Sequence, residues 1–251
     1  MHDSVRLRHP GRSTRAYVCV VVAALFQYSC ERDEPPPPRP PPEKPLCPDG
    51  RSVDPPRSEL RAAANRFREQ AYDEAQAAFD VLAKRYPGSS SVRVWRGDAV
   101  LYDSKLDGAT AAKAALPYFQ EALALQDRGC RLRSYEHYYL RMGMAYAYLR
   151  LDQPDPALEQ LRLVERRWPD SAEAHYHQAR AHCLKREVAA CAEHFRRALE
   201  VAKSLKRPRF LRTHHSVDDW LIRSKTQSEF PPLRDDERYA AIVAEFSPER
   251  R

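Results

Sequence analysis

Small and apolar residues recur at a fixed helical spacing in four stretches of the chain. In the first stretch, Ala75, Phe79 and Leu82 lie at relative positions 0, 4 and 7, and Pro87 follows at position 12. The same spacing returns at Ala115, Phe119 and Ala122, at Ala157, Leu161 and Val164, and at Cys191, Phe195 and Ala198. Residues at this spacing share one face of an α-helix. Each stretch therefore predicts a helix that packs through that face and that ends where a proline follows.

Another helix-like segment precedes each of these stretches and carries a small residue. In chain order, the small residues are Ala63, Gly97, Gly143 and Ala179. Ala63 lies 12 residues before Ala75, and Ala179 lies 12 residues before Cys191. Because a small side chain lets two antiparallel helices approach closely, the pattern predicts a series of helical hairpins.

The first helix of the third hairpin carries a recognisable motif. In YYLRMGMAYAYL, Tyr139, Met142, Gly143 and Tyr146 follow one another in order. The motif and the repeated hairpins resemble the tetratricopeptide repeat, a helix–turn–helix unit of about 34 residues. The resemblance implies an all-α fold, a right-handed helix–turn–helix solenoid of about four units over residues 57–207.

Two segments modify this regular picture. The second unit is expected to hold about six extra residues between its two helices, within the stretch YDSKLDGATAAK. After the last unit, residues 208–251 are expected to form capping helices, since the end of a solenoid must cover its last apolar face. Ser216 is the predicted N-cap of one of them, and residues 234–246 have the apolar spacing of another.

The N-terminal residues 1–29 are laid out like an export signal. Four arginines precede residues 16–26, an almost wholly apolar run of 11 residues. This run is too short to cross a bilayer core, which needs about 20 residues, but it suits a signal peptide. Cys30 then stands where a bacterial lipoprotein signal has its lipidated cysteine. Gln27 and Tyr28 depart from the usual residues before that cysteine, so an ordinary cleaved signal is the alternative.

Residues 30–56 are crowded with proline and predict a spacer. Such a segment cannot form a regular helix and favours extended polyproline II. A ligand for a proline-binding domain is the alternative interpretation. With lipidation of Cys30, the spacer predicts a protein anchored in the bacterial cell envelope, at the outer membrane and facing the periplasm.

The sequence shows no recognisable catalytic motif. It has 7 glycines in 251 residues and contains no glycine-rich phosphate loop, nucleophile elbow or zincin helix. We therefore expect no enzyme activity, no cofactor and no small-molecule substrate. The net charge of +7 owes part of its value to the N-terminal arginines, so nucleic-acid binding is not predicted either.

Residues 175–195 contain four histidines and two cysteines, which are metal-ligand types. His175 and His177 are two residues apart and point to roughly opposite sides of a helix, so no metal site is predicted. Cys183 and Cys191 flank the predicted turn and would staple it by a disulfide in an oxidising compartment; free thiols are the alternative. Cys47 and Cys130 have no assigned partners.

The resemblance also implies a binding surface, because the first helices of successive tetratricopeptide units line a concave groove for peptides or partner proteins. The inward positions that carry over to this chain are Leu60, Arg61, Phe67, Arg68, Val94, Trp95, Asp98, Tyr102, Arg141, Met144, Tyr148, Tyr176, His177 and Arg180. Their mixture of Arg, Tyr and Trp is typical of protein-binding hot spots. Eight of these positions form the predicted binding site, namely Arg61, Arg68, Trp95, Tyr102, Arg141, Tyr148, Tyr176 and Arg180. Trp95 and Tyr148 are the strongest candidates.

The functional expectation is therefore a membrane-tethered scaffold of the cell envelope that binds protein partners and assists complex assembly. A cytosolic adaptor without lipidation is one alternative, and an accessory subunit of an envelope enzyme is another.

Overall fold

The computed structural model describes Cys47, residues 53–204 and residues 216–247. All of them belong to one compact unit, Glu43–Arg251. The helices of the described part are α1 Arg57–Arg68, α2 Tyr72–Arg85, α3 Ser90–Leu101, α4 Gly108–Asp127, α5 Ser134–Arg150, α6 Pro154–Arg167, α7 Ala172–Leu184, α8 Val188–Ser204, α9 Val217–Thr226, α10 Pro231–Arg234 and α11 Glu237–Phe246. The predicted all-α solenoid is confirmed, since α1 to α8 pack as four adjacent hairpins.

Signals in the sequence explain where these helices begin and end. The α2 helix ends two residues before Pro87, and α6 ends two residues before Pro169. Ser89 and Ser171 cap the next helices, because each hydroxyl accepts a backbone N–H in the first turn of α3 or α7. Ser216 caps α9 in the same way, as predicted.

The core between the second and third units is built around one phenyl ring. Phe119 of α4 is fully buried between Gly97 of α3 and Gly143 of α5. A Cβ atom at either glycine would lie 2.6 Å from that ring, which is far below van der Waals contact. The small residues therefore allow three helices to close around one aromatic side chain.

The stretch YDSKLDGATAAK of the second unit, residues 102–113, is loop in its first half and helix in its second half. The loop between α3 and α4 ends at Asp107, whose carboxylate caps α4, and residues 108–115 extend that helix to 20 residues. Pro117 lies inside this helix. Residues 102–107 therefore separate α3 from α4, and the rest of the stretch is helical because Asp107 starts α4 two turns earlier than the apolar repeat suggests.

The C-terminal helices cover the last hairpin. Trp220 of α9, Phe230 and Leu233 are buried in one cluster with Tyr176 of α7 and Phe195 of α8. Trp220 stacks on Tyr176 with ring centroids 4.3 Å apart. The predicted capping helices therefore form, and α10 and α11 contact α8 directly.

Four cysteines of the described residues are joined in two disulfides. Cys183 and Cys191 are bonded across the α7–α8 turn. Cys47 is bonded to Cys130, which lies 83 residues away in the connection between α4 and α5. Sequence reasoning left this second pair open, since spacing cannot show which turn the start of the solenoid packs against.

Several sequence predictions concern residues outside the described part. They include the export signal, Cys30 and most of the proline-rich segment. Within the part that the structure describes, no helix is both long and apolar enough to cross a lipid bilayer.

Candidate binding groove

A cavity of about 270 Å³ opens on the side where α1, α3, α5, α7 and α9 meet. Most of its lining comes from the first helices of the four units and from α9. The lining residues are Phe67, Asp98, Tyr102, Tyr139, Met142, Gly143, Tyr146, Glu173, His177, Arg180, Trp220, Arg223 and Gln227. Every unit of the solenoid therefore contributes to one concave surface.

A ladder of rings runs across this cavity from the first unit to the fourth. The ring centroids of Phe67 and Tyr102 are 6.0 Å apart, those of Tyr102 and Tyr146 are 5.7 Å apart, and those of Tyr146 and His177 are 5.5 Å apart. Tyr102 is the most open member, with 39% of its surface exposed. The ladder gives the cavity a rigid aromatic wall with polar edges.

A second concavity of about 500 Å³ adjoins the first and shares Phe67, Tyr102 and Tyr139 with it. Arg68 and Trp95 also line it. Here the Arg68 guanidinium lies 6.0 Å from the Trp95 ring centroid, at the edge of the range for a cation–π contact. The two concavities together are called the inner groove below.

A buried ion pair lies at the C-terminal end of the inner groove. Arg180 of α7 is only 4% exposed and pairs with Glu229, which precedes α10. Its Nη1 donates to Nδ1 of His177 over 3.1 Å, so His177 carries its proton on Nε2 when neutral. The Nε of Arg180 is buried without a hydrogen-bond partner among the described residues. The capping segment thus supplies the counter-ion that allows a charged residue at this depth.

The polar groups beside this pair are also held in place. Oε2 of Glu173 accepts a hydrogen bond of 3.0 Å from the Tyr138 hydroxyl. Burial, reinforced by Glu173, raises the pKa of Tyr138 well above its ordinary value, so this hydroxyl stays protonated and donating. The inner groove therefore combines aromatic faces with polar groups that are held by hydrogen bonds and an ion pair.

Four of the eight residues proposed most firmly as groove residues line the inner groove. They are Arg68, Trp95, Tyr102 and Arg180. Phe67, Asp98 and His177 from the wider set line it as well.

The other four lie elsewhere. Tyr176 is fully buried in the C-terminal core, where its hydroxyl donates to Gln227. Arg141 donates to Gln160 of α6 over 2.6 Å, and Tyr148 packs against the apolar clusters between units. Arg61 is exposed on α1 but lines neither concavity. None of these four residues lines either concavity, because a family pattern fixes a residue's helix but not which neighbour its side chain meets.

Several groove residues were not among the predicted inward positions. They include Tyr139, Tyr146, Glu173, Trp220 and Gln227. Tyr139 and Tyr146 were assigned only to the repeat motif, although the rings of a first helix are able to serve both the core and the groove. Trp220 and Gln227 belong to the capping segment, and no repeat pattern shows that this segment folds back to the groove.

The histidine-rich segment forms a stack rather than an open set of ligands. His194 lies between His175 and His182, with ring centroids 5.9 Å and 5.2 Å away. Nε2 of His175 donates a hydrogen bond of 3.0 Å to the carbonyl oxygen of Pro169, since a carbonyl oxygen can only accept. Within the described residues, no group of three or more His, Cys, Asp or Glu side chains is placed to hold a metal ion.

Two parts of the chain match a tetratricopeptide repeat model, residues 57–89 and 139–171. The chain contains tetratricopeptide repeats. The matches cover the first unit, with α1 and α2, and most of the third, with α5 and α6.

One solved structure supports the fold. The MamA RS-1 ArsTM double mutant has a TM-score of 0.50 and 12% sequence identity, and the likeness covers 74% of this chain and 93% of that one. At this identity, the likeness shows the fold alone. No curated protein sequence gives a significant match.

Proposed function

We propose that this protein is a scaffold of the bacterial cell envelope, tethered to the membrane through Cys30, that binds a protein partner in its inner groove and assists assembly of a complex. Tetratricopeptide folds in general bind protein partners, and that much follows from the repeats. The proposal goes beyond the repeats in three respects: a partner from the envelope, a lipid tether at Cys30 and a location in the cell envelope.

The observation that supports binding is the unbroken ring ladder from Phe67 to His177. A ladder that spans all four units presents a long surface to an extended segment of a partner. Tyrosine and tryptophan supply large contact areas at a low entropic cost, and arginine adds hydrogen bonds, which is why these residues dominate binding hot spots.

The observation that supports an extracytoplasmic location is the state of the cysteines. All four cysteines in the described part of the chain, Cys47, Cys130, Cys183 and Cys191, are in disulfides. Disulfides persist in the periplasm and in secreted proteins and are rare in the reducing cytosol. This favours the exported scaffold over the cytosolic adaptor.

Cross-linking in cells tests the groove. A tagged copy is cross-linked, solubilised and purified beside Tyr102→Ala and Tyr148→Ala variants. Both changes remove a tyrosine ring, but Tyr102 lines the inner groove and Tyr148 does not. We expect a discrete envelope protein to be recovered with the native chain and with Tyr148→Ala, and its yield to fall at least tenfold with Tyr102→Ala. Equal recovery with both variants would contradict the assignment of the groove.

Fractionation tests the tether separately. The native chain should be found with the membranes, and a Cys30→Ser variant should be recovered in the soluble periplasmic fraction. Recovery of the native chain in the cytosol, or membrane association that survives the Cys30→Ser change, would overturn the lipid anchor.

A further inference from the structure

The N-terminal end of the solenoid has an open apolar face. Ala63 of α1 and Ala77, Ala78 and Val81 of α2 line a shallow depression there. Val81 is 56% exposed. The terminal unit of a solenoid has only one neighbour to stabilise it, and a capping element usually covers its free face. In the described residues no helix precedes α1 to do so.

Cys47, which precedes α1 in the chain, instead contacts the turns of the next two units. Sγ of Cys47 lies 3.8 Å from the carbonyl oxygen of Gly88, in the connection between α2 and α3. The same sulfur is bonded to Cys130, in the connection between α4 and α5. Cys47, Cys130 and Leu125 form a small buried cluster of their own. One residue from before the first unit is thus fixed to the start of the third.

A polar cluster around Asp54 provides a second link from the residues before α1 to the starts of α3 and α5. Oδ1 of Asp54 accepts a hydrogen bond of 2.6 Å from Ser89, the N-cap of α3. The other carboxylate oxygen of Asp54 pairs with Arg133, the N-cap of α5. Arg133 also donates through Nε to Glu136 over 3.1 Å, and Glu136 accepts a hydrogen bond from Ser91 of α3.

This cluster is partly shielded from water. The Asp54 side chain is 17% exposed and that of Glu136 is 2% exposed. The Arg133 side chain is 43% exposed, so the Asp54–Arg133 pair is only partly withdrawn from solvent and salt still screens it in part. Cys47 and Asp54 thus both contact the α2–α3 connection and the α4–α5 connection, Cys47 through the disulfide with Cys130 and Asp54 through the ion pair with Arg133.

We propose that Cys47, Asp54 and their partners form a clasp that stabilises the N-terminal end of the solenoid. The clasp encloses α1 to α4 in a covalent loop whose ends are Cys47 and Cys130. Closing so long a loop restricts the unfolded chain, so the first two units do not open as freely as an uncapped end would. Because α1 carries Phe67, the clasp also fixes one wall of the inner groove.

The clasp predicts protection that is local to the first half of the solenoid. Hydrogen exchange of the purified, oxidised protein, followed by mass spectrometry, measures it helix by helix. In a Cys47→Ala/Cys130→Ala variant, exchange in α1 and α2 should accelerate at least tenfold, while exchange in α7 to α11 stays within twofold of the native protein.

Cys183→Ala/Cys191→Ala is the matched control, since it removes an equally buried disulfide from the other half. It should accelerate exchange in α7 and α8 and leave α1 and α2 unchanged. Asp54→Asn is the mild variant, because it removes the charge that faces Arg133 and keeps the side-chain size. It should accelerate exchange in α1 and α2 by a smaller factor.

Two results would overturn the clasp. One is unchanged exchange of α1 and α2 in both Cys47→Ala/Cys130→Ala and Asp54→Asn. The other is equal acceleration in every helix, which would mean that the solenoid opens only as a whole. If Cys47→Ala/Cys130→Ala does not fold, Asp54→Asn by itself decides between local and uniform acceleration.

Discussion

The two ends of the solenoid are stabilised by different means. At the C-terminal end, α9, α10 and α11 bury Trp220, Phe230 and Leu233 against the last hairpin. At the N-terminal end, Val81 remains 56% exposed, and the chain is held by a disulfide and by the Asp54–Arg133 pair. One end buries apolar surface and stabilises the folded state, whereas the other restricts the unfolded chain. The comparison teaches that covalent and ionic contacts can stabilise one end of a solenoid while apolar burial stabilises the other.

Truncation of the central tryptophan in the C-terminal cap should give the largest effect. Trp220 is 1% exposed and stacks on Tyr176. Trp220→Ala should lower the free energy of unfolding by about 3 to 5 kcal/mol, the usual cost of deleting a buried aromatic side chain. Urea unfolding followed by circular dichroism measures it. Ile222→Ala, on the same helix but 60% exposed, should stay close to the native value, and a similar loss in both variants would show that Trp220 has no special role.

The two disulfides should differ in the stability they confer. Loop-closure entropy predicts a loss of about 4.5 kcal/mol without the Cys47–Cys130 bond and about 2.5 kcal/mol without the Cys183–Cys191 bond. The difference follows from their sequence separations of 83 and 8 residues. Thermal unfolding of the two double-alanine variants at one protein concentration tests the order. The reverse order would mean that the N-terminal segment contributes little to stability.

A third change probes the junction between the two halves. Gly143→Ala places a Cβ atom 2.6 Å from the Phe119 ring. Overpacking of this kind costs about 1 to 3 kcal/mol, and the better helix propensity of alanine recovers up to about 1 kcal/mol. We expect a net loss of about 1 to 2 kcal/mol in urea unfolding.

Gly108→Ala is the control for this junction, since its new Cβ atom would be 3.6 Å from the Arg150 side chain. It should be neutral. A Phe119→Leu change added to Gly143→Ala should recover part of the lost stability, and additive losses in the double variant would argue against a steric cause.

The smallest expected effect is a loss of stability at low pH, and it arises in the C-terminal half of the solenoid. Burial, with added repulsion from His182 and His175, lowers the pKa of His194 below its ordinary value. Glu165 and Glu193 act in the opposite direction. The unfolded chain therefore binds a proton before the folded chain does, so stability contributed by neutral His194 is present above about pH 6.5 and declines as the pH falls below it.

Unfolding at pH 7.5 and at pH 5.5 measures this loss. We expect the native protein to be less stable at the lower pH and a His194→Gln variant to lose less. Hydrogen exchange should place the change in α7 and α8, away from the clasp. An identical loss in both proteins would show that other groups cause it; His137, whose pKa is also lowered by burial and by Arg167, is then the next group to change.

The regular part of this fold was predictable because it depends on local signals. Spacing of small and apolar residues identified the helices, and Pro87, Pro169 and Ser216 marked where helices end or begin. The binding surface was less predictable. Of the predicted groove residues, Trp95 and Tyr102 line the inner groove, whereas Tyr176 does not, because the capping segment buries it.

By itself, the sequence determined the all-α repeat architecture and the need for a C-terminal cap, since periodicity and capping residues act within a few turns of chain. Only the tertiary structure decided that Cys47 meets Cys130 and that Glu229 pairs with Arg180. Both contacts join residues far apart in the chain. Their partners depend on how whole units stack, and no local pattern records that stacking.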